Sequence, residues 1–325
     1  MDISNLGDVK TAMLEEILKN SKKAILLGIG GGGDVVGTLP TANLLETNGT
    51  KCVLGGLSWE RFTIDPDPGP RKLEEARCVR AINDVVWMCN KDSTTRGGAR
   101  FAEAGMAEVL GEETLLVDIS CGPAEVCEGI TDAAEKLGAD LLVGIDVGGD
   151  ALGKGYEKGL MSPLADAVMT AALYMQNSRM SVLMGIFGFG SDGELSREEL
   201  ESSFSVIARN NGMLGSWGIS RKTLELMQRA VRVIPTEASR EPVEYAKGVF
   251  RPTSIRKGRR KVELDIRSTV TFYVDPRVVY EKVSVPAQTV FGCKTLEEAS
   301  AKLNEAGIRT ELDIEMELYE NIAED

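Results

Sequence analysis

Two stretches of the chain place glycines and an aspartate at one spacing. Residues 26–38 read LLGIGGGGDVVGT and residues 142–154 read LVGIDVGGDALGK; both contain G-I-x-x-G-G-D-x-x-G, beginning at Gly28 and Gly144. Each copy follows an apolar run and precedes a helical pattern, the signature of strand, glycine turn and helix. Glycine lets backbone approach a ligand closely, and the unpaired N–H groups at a helix start favour anions, phosphate above all. Gly28, Gly30, Gly31, Gly32 and Gly33 of the first turn, with Gly148 and Gly149 of the second, are therefore candidate ligand-binding positions. Asp34 and Asp150 occupy matching places, and Asp146 lies four residues before Asp150. These three are candidate metal ligands or acid–base groups. A looser third copy, VLMGIFGFGSDGEL at 182–195, adds Gly188, Gly190 and the candidate metal ligand Asp192, with Glu194 behind it.

The shared pattern predicts that the first two turns line one cleft. The structural alternative is a set of tight turns in which each aspartate only caps a helix, gaining about 0.3–1 kcal/mol from its dipole. Three acids placed alike favour a function. Carboxylates converging on one sheet edge repel each other unless a divalent ion or ligand cation sits among them.

Two nucleotide signatures are met only in part. Gly28, Gly30 and Gly33 satisfy G-x-G-x-x-G after a strand, and Glu60, somewhat late, is the candidate ribose partner of a dinucleotide. Asp34 is awkward there, because its charge would repel a pyrophosphate unless a cation intervenes. Residues 148–155, GGDALGKG, approach the phosphate loop but end in glycine where a hydroxyl should hold magnesium. Lys154 remains a candidate phosphate contact or a solvated surface lysine. Trp59, Glu60, Arg61 and Arg71 bracket a loop stiffened by Pro66, Pro68 and Pro70, and Arg96 follows in TTRGGAR; Arg71 and Arg96 are candidate anion-orienting groups.

Composition narrows the chemistry. The 325 residues contain no histidine, which removes Ser-His-Asp and Cys-His catalysis, imidazole shuttles and His-zinc sites. Oxygen ligands then favour magnesium or manganese. Six cysteines form no C-x-x-C pair; only Cys121, at a strand-to-helix turn, invites comparison with a nucleophile, and without histidine it fits better as a small turn residue. A formal charge of −13 argues against nucleic acid and anionic membranes as partners. The absence of a signal-peptide pattern and of a bilayer-length apolar run predicts a cytoplasmic protein. The run 251–261 holds six cations and no acid, most simply a solvated loop.

The elements that must position these residues alternate. Strands are expected at 24–27, 52–57, 85–88, 115–119, 141–145 and 181–186; helices are expected at 7–20, 36–45, 71–81, 101–110, 124–137, from Ser162-Pro163 to about 175, and at 194–210. That is a Rossmann-like, doubly wound, mostly parallel α/β sheet, in which ligands bind outside the carboxyl ends of the strands. Residues 1–235 carry the glycine turns. Residues 236–325 are expected as a C-terminal α+β extension, with strand character at 268–274 and a helix at 296–306, packed on the same domain or continuing it.

The segments GIGGGGDVVG, SWERF followed by DPDPGPR, RGGARFAEA, DVGGDALGKG leading to SPLADA, GFGSDGEL and the ending GCKTLEEASAKLNEAGIRTELDIE resemble an archaeal and bacterial family, the domain of unknown function numbered 1152. The resemblance spans nearly the whole chain and implies a Rossmann-like fold with no assigned activity. The residues themselves point to a phosphate-bearing small molecule or nucleotide as ligand, with magnesium, in an enzyme. A dinucleotide-binding oxidoreductase and a non-catalytic nucleotide sensor or assembly subunit are the alternatives, and self-association as a homo-oligomer is left open.

Overall fold

A computed structural model describes residues 13–251 and 253–324, so the first half of the helix expected at 7–20 lies outside the described residues. The strands are β1 (Lys23–Gly28), β2 (Lys51–Leu57), β3 (Ala76–Ala81), β4 (Val86–Thr95), β5 (Thr114–Val117), β6 (Leu141–Val147), β7 (Ser181–Phe187), β8 (Met213–Gly218), β9 (Thr253–Ile255), β10 (Arg260–Val262) and β11 (Val270–Val274). The helices are α1 (Leu14–Asn20), α2 (Leu39–Thr47), α3 (Ala102–Leu110), α4 (Gly122–Leu137), α5 (Pro163–Gln176), α6 (Arg197–Arg209), α7 (Arg221–Val233), α8 (Arg240–Ala246), α9 (Pro276–Lys282), α10 (Val285–Val290), α11 (Leu296–Glu305) and α12 (Glu311–Glu324).

One sheet runs in the order β3-β4-β5-β2-β1-β6-β7-β11-β8. Its inner strands β5, β2, β1, β6 and β7 are parallel. They read as near-continuous apolar runs because helices cover both faces. Every residue of β6 is buried. On one face α4 turns Val126, Cys127, Ile130, Ala133 and Ala134 inward, a helical stripe that starts at Pro123 and stops at left-handed Gly138. Leu39 and Leu45 of α2 and Met227 of α7 cover the other face. Among the described residues no helix is long and apolar enough to cross a membrane.

From β1 the chain winds outward through β2 to β5, then returns to the other side of β1 for β6 and β7. The winding reverses between β1 and β6, and a doubly wound sheet opens its ligand crevice at such a point. Gly28 pairs in register with Ile145, so the first two glycine turns leave the sheet side by side.

Several elements depart from the sequence reading or decide between its alternatives. Residues 71–81 form a short 3-10 turn (Leu73–Glu75) and the edge strand β3 rather than a helix. Leu73, Ala76 and Val79 pack against buried Trp87, and pairing with β4 overrides the helical propensity of KLEEA. The strand begun at 85–88 continues to Thr95 and runs antiparallel to β5. Finally β11 inserts between β7 and β8, so residues from beyond 235 lie inside the main sheet.

A Cβ at Gly37, in the 3-10 segment Gly32–Thr38 after β1, would collide with Val147 Cγ2 and lie 3.2 Å from Phe187 Cδ1. Gly37→Ala should therefore lower stability by ~1–3 kcal/mol through overpacking. Combined with Val147→Ala it should lose at least ~1 kcal/mol less than the two single losses added together. Denaturant titration of the four proteins checks this; strict additivity would refute the close contact.

Candidate functional site

Six carboxylates meet over the crevice. Asp34 stands in the 3-10 segment after β1, Asp146 within β6 and Asp150 in the turn that follows it. Asp166 stands in the first turn of α5, and Asp192 and Glu194 in the loop after β7. None is more than 8% exposed. One oxygen each from Asp146, Asp150 and Asp166 lie within 4.8 Å of one another, and so do oxygens of Asp150, Asp192 and Glu194. Asp150 belongs to both groups.

Partners are unevenly shared among them. Glu194 accepts the N–H of Met161 (2.7 Å), the N–H of Ser162 (3.0 Å) and the Ser162 hydroxyl (2.6 Å), and pairs with Arg260 Nη1 at 2.7 Å. Burial pushes its pKa up, but Arg260 and these donors outweigh burial and hold it below the usual value. Asp34 accepts the Gly30 N–H at 3.1 Å. By contrast, no backbone, hydroxyl or cationic donor reaches the six oxygens of Asp146, Asp166 and Asp192; protonated Asp146 donates to the Asp150 carboxylate, and the Glu194 N–H faces Asp192 without reaching bonding geometry. Burial first, and then the neighbouring carboxylates, push these three well above the ordinary range. Burial raises Asp34 to about 7 against the pull of Arg61, and raises Asp150 to about 6 with help from Glu194.

The surroundings are built from distant parts of the chain. The Arg61 guanidinium faces Asp34, Glu194, Asp150 and Glu311. Its loop is pinned by α12, where Glu315 accepts Trp59 Nε1–H and the Gly69 N–H, both at 2.9 Å. Glu311, at the start of α12, accepts the N–H groups of Leu164 and Ala165 and so caps α5, which carries Asp166.

Several residues singled out by sequence serve their own loops. The Gly32 N–H donates to the Trp59 carbonyl at 2.8 Å, so the loop after β2 lies over the first glycine turn, where a dinucleotide pyrophosphate would run. Glu60 does not stand ready for a ribose; it accepts the Ala102 N–H at 2.6 Å, beside the unpartnered Glu103. Arg71 staples the proline loop, donating to the carbonyls of Asp67, Pro68 and Gly69 and pairing with Asp65. Arg96 is exposed, its N–H bound to the Glu75 carbonyl, because β4 is antiparallel and its end is not one of the parallel strand ends.

The phosphate-loop-like segment binds its own acid. Glu157 accepts the N–H groups of Lys154, Gly155 and Tyr156, while Lys154 Nζ reaches Ser202. Gly148 serves close packing, since a Cβ there would collide with Asp192, and the third turn brings Gly188 against Ser191. Burial raises the Cys121 thiol to about 12, with Asp118 adding to it, which suits a turn residue and not a nucleophile. The basic run is not a free loop: it forms the β9–β10 hairpin, with Arg260 half-buried against Glu194.

Sequence reasoning missed Asp166, Glu103 and Glu311. Asp166 had a signal, a lone acid in the otherwise apolar helix PLADAVMTAALYM, where an unpaired charge would be costly. Glu103 and Glu311 had none, since only packing brings them here.

The family described as protein of unknown function (DUF1152) matches residues 25–319 of the 325, and the chain belongs to that family. No curated protein and no solved structure matches it. The family description assigns no activity, so function rests on the site.

Raised carboxyl pKa values set a pH dependence. Asp34 at about 7 and Glu311 at about 8 keep protons in the native state that the unfolded chain has released. Their contribution is therefore full at low pH and lost as pH rises through these values. In chelator, the melting temperature should fall by several degrees between pH about 6 and about 8.5, and Asp34→Asn should flatten the fall. A melting temperature that is flat or rising over that interval in the wild type would refute the assignment.

Proposed function

We propose that the chain is a divalent-cation-dependent enzyme acting on a phosphate-bearing small molecule at the crevice between β1 and β6. The observation that carries this reading is the set of buried oxygens of Asp146, Asp166 and Asp192 around Asp150, which no backbone, hydroxyl or cationic donor reaches. Burying even one ionised carboxylate without a partner is costly, and an uncompensated cluster is far more so. A hard cation with oxygen ligands is the economical neutraliser near neutral pH, and an all-carboxylate set without histidine or thiolate suits magnesium or manganese.

Asp146, Asp150 and Asp166 would hold one ion, and Asp150, Asp192 and Glu194 a second, with Asp150 common to both. Ions held there would supply Lewis-acid stabilisation of phosphoryl charge and a lowered pKa for bound water. Arg61 orients the anion by charge, its planar guanidinium matching phosphate geometry. Asp34, with a pKa near neutrality and a place beside Arg61 and Asp150, suits proton transfer. Glu194 stays ionised against Arg260 and fixes the Ser162 hydroxyl, which lies 3.3 Å from Asp150 Oδ2.

Magnesium or manganese should raise the melting temperature of the wild type, since saturation at ~100 times Kd stabilises by about 2.7 kcal/mol. Asp150→Asn, touching both groups, should abolish the response while retaining fold. A panel of phosphorylated metabolites should yield phosphate release that needs the metal and falls at least ~100-fold in Asp150→Asn. No divalent-ion effect on the wild type, or an equal effect in the variant, would overturn the proposal.

A further inference from the structure

Beside the crevice lies a cavity of about 570 Å³, with Gly33 and Asp34 in one wall. Its size is that of a small-molecule site. Its lining is dominated by five cations: Arg61, Arg240, Arg256, Lys257 and Arg259. In a chain of formal charge −13 this is a strong local reversal of sign. The acids in the lining are Asp34 and Glu237, and Glu237 is engaged, accepting the Arg256 N–H at 2.9 Å and lying 3.9 Å from Arg256 Nη1. Phe62, Ile64, Pro235 and Leu318 supply an apolar wall.

From this arrangement we infer that the cavity receives a small organic molecule carrying two or more phosphates in a chain. One phosphate sits at the carboxylate crevice, and the next lies among the guanidinium and ammonium groups of the β9–β10 hairpin. The inference rests on the divalent-cation reading of the crevice and specifies its substrate class.

Two independent features support the clamp. The cations crowd one another: the charge of Arg61, then burial, then Arg260 pull Arg256 down to about 10. Like charges held this closely are stabilised by an anion between them, and one monoester phosphate neutralises fewer of them than a phosphate chain. The hairpin turn also keeps side chains where backbone geometry disfavours them. Arg256 and Lys257 have φ of 54° and 56°, the left-handed region that is unfavourable for residues other than glycine. Asn-Gly is the favoured pair for such backbone; this turn holds Arg-Lys in its place.

The same turn supplies the test. Arg256→Asn with Lys257→Gly removes two charges, keeps the backbone N–H that Glu237 accepts, and relieves the left-handed residues. The double variant should be at least as stable as the wild type and keep its magnesium response. Titration calorimetry with orthophosphate, pyrophosphate and ADP, in magnesium and again in chelator, provides the readout. The wild type should bind pyrophosphate at least tenfold more tightly than orthophosphate in magnesium, with a smaller preference in chelator, and the double variant should lose that preference. ADP binding more tightly than pyrophosphate supports contact of the organic end with the apolar wall; equal affinity removes that part of the inference. Orthophosphate bound as tightly as pyrophosphate, or a preference unchanged in the double variant, overturns the clamp. Failure of the metal reading shows separately, as a wild type that ignores magnesium yet still prefers pyrophosphate in chelator.

Discussion

A cluster of buried carboxyl groups is the constraint around which this molecule is organised. Asp34, Asp146, Asp150, Asp166, Asp192 and Glu194 come from the ends of three neighbouring strands and one helix, and all are nearly inaccessible to water. Only Glu194 has a full set of partners, and it alone among them is held below the usual carboxylate range. In the others burial outweighs the groups that favour the ionised form and pushes the pKa up. Such a cluster costs folding energy, and a large apolar core on both faces of the sheet is what sustains it.

The glycine turns answer the same constraint in an unexpected way. Their backbone is close and their N–H groups point outward, but the chain's own groups take up several of those donors. Asp34 accepts from Gly30, Glu157 from the segment Lys154 to Tyr156, and the Trp59 carbonyl from Gly32. What the glycines chiefly provide is room. A Cβ at Gly30 would lie 2.8 Å from an Asp34 oxygen and 3.4 Å from one of Asp166. A Cβ at Gly148 would likewise collide with Asp192, so each turn seats a carboxylate against bare backbone, though at positions that the shared pattern does not align.

The C-terminal quarter completes the site. Helix α12 holds the β2 loop through Glu315 and caps α5 through Glu311, while the β9–β10 hairpin brings Arg260 to Glu194. Thr236 and Ser239 pack on Gly33. Arg61, Asp34 and Asp166 are therefore positioned by residues far away in sequence.

Much of this was legible in the chain. The five parallel strands were readable as short apolar runs, those of β1, β6 and β7 ended by glycine, and the burial of both sheet faces makes such runs continuous. The adjacency of the two turns was implied by their shared pattern, and Asp34, Asp146, Asp150 and Asp192 stood at strand ends where ligands bind. Histidine's absence alone limited the chemistry. The rest depended on long-range pairing. Residues 71–81 became a strand because β4 lay beside them, and β11 entered the sheet between β7 and β8. Arg71 turned to the carbonyls of its own loop and Arg96 stayed exposed, while Arg260 of the basic run met Glu194. Local sequence determines which segments are strand or helix and where a turn needs glycine, because those preferences act over a few residues. It does not determine which charges meet, because a side chain's partners are set by packing between segments a hundred or more residues apart, and electrostatic energy depends on distance and burial in space.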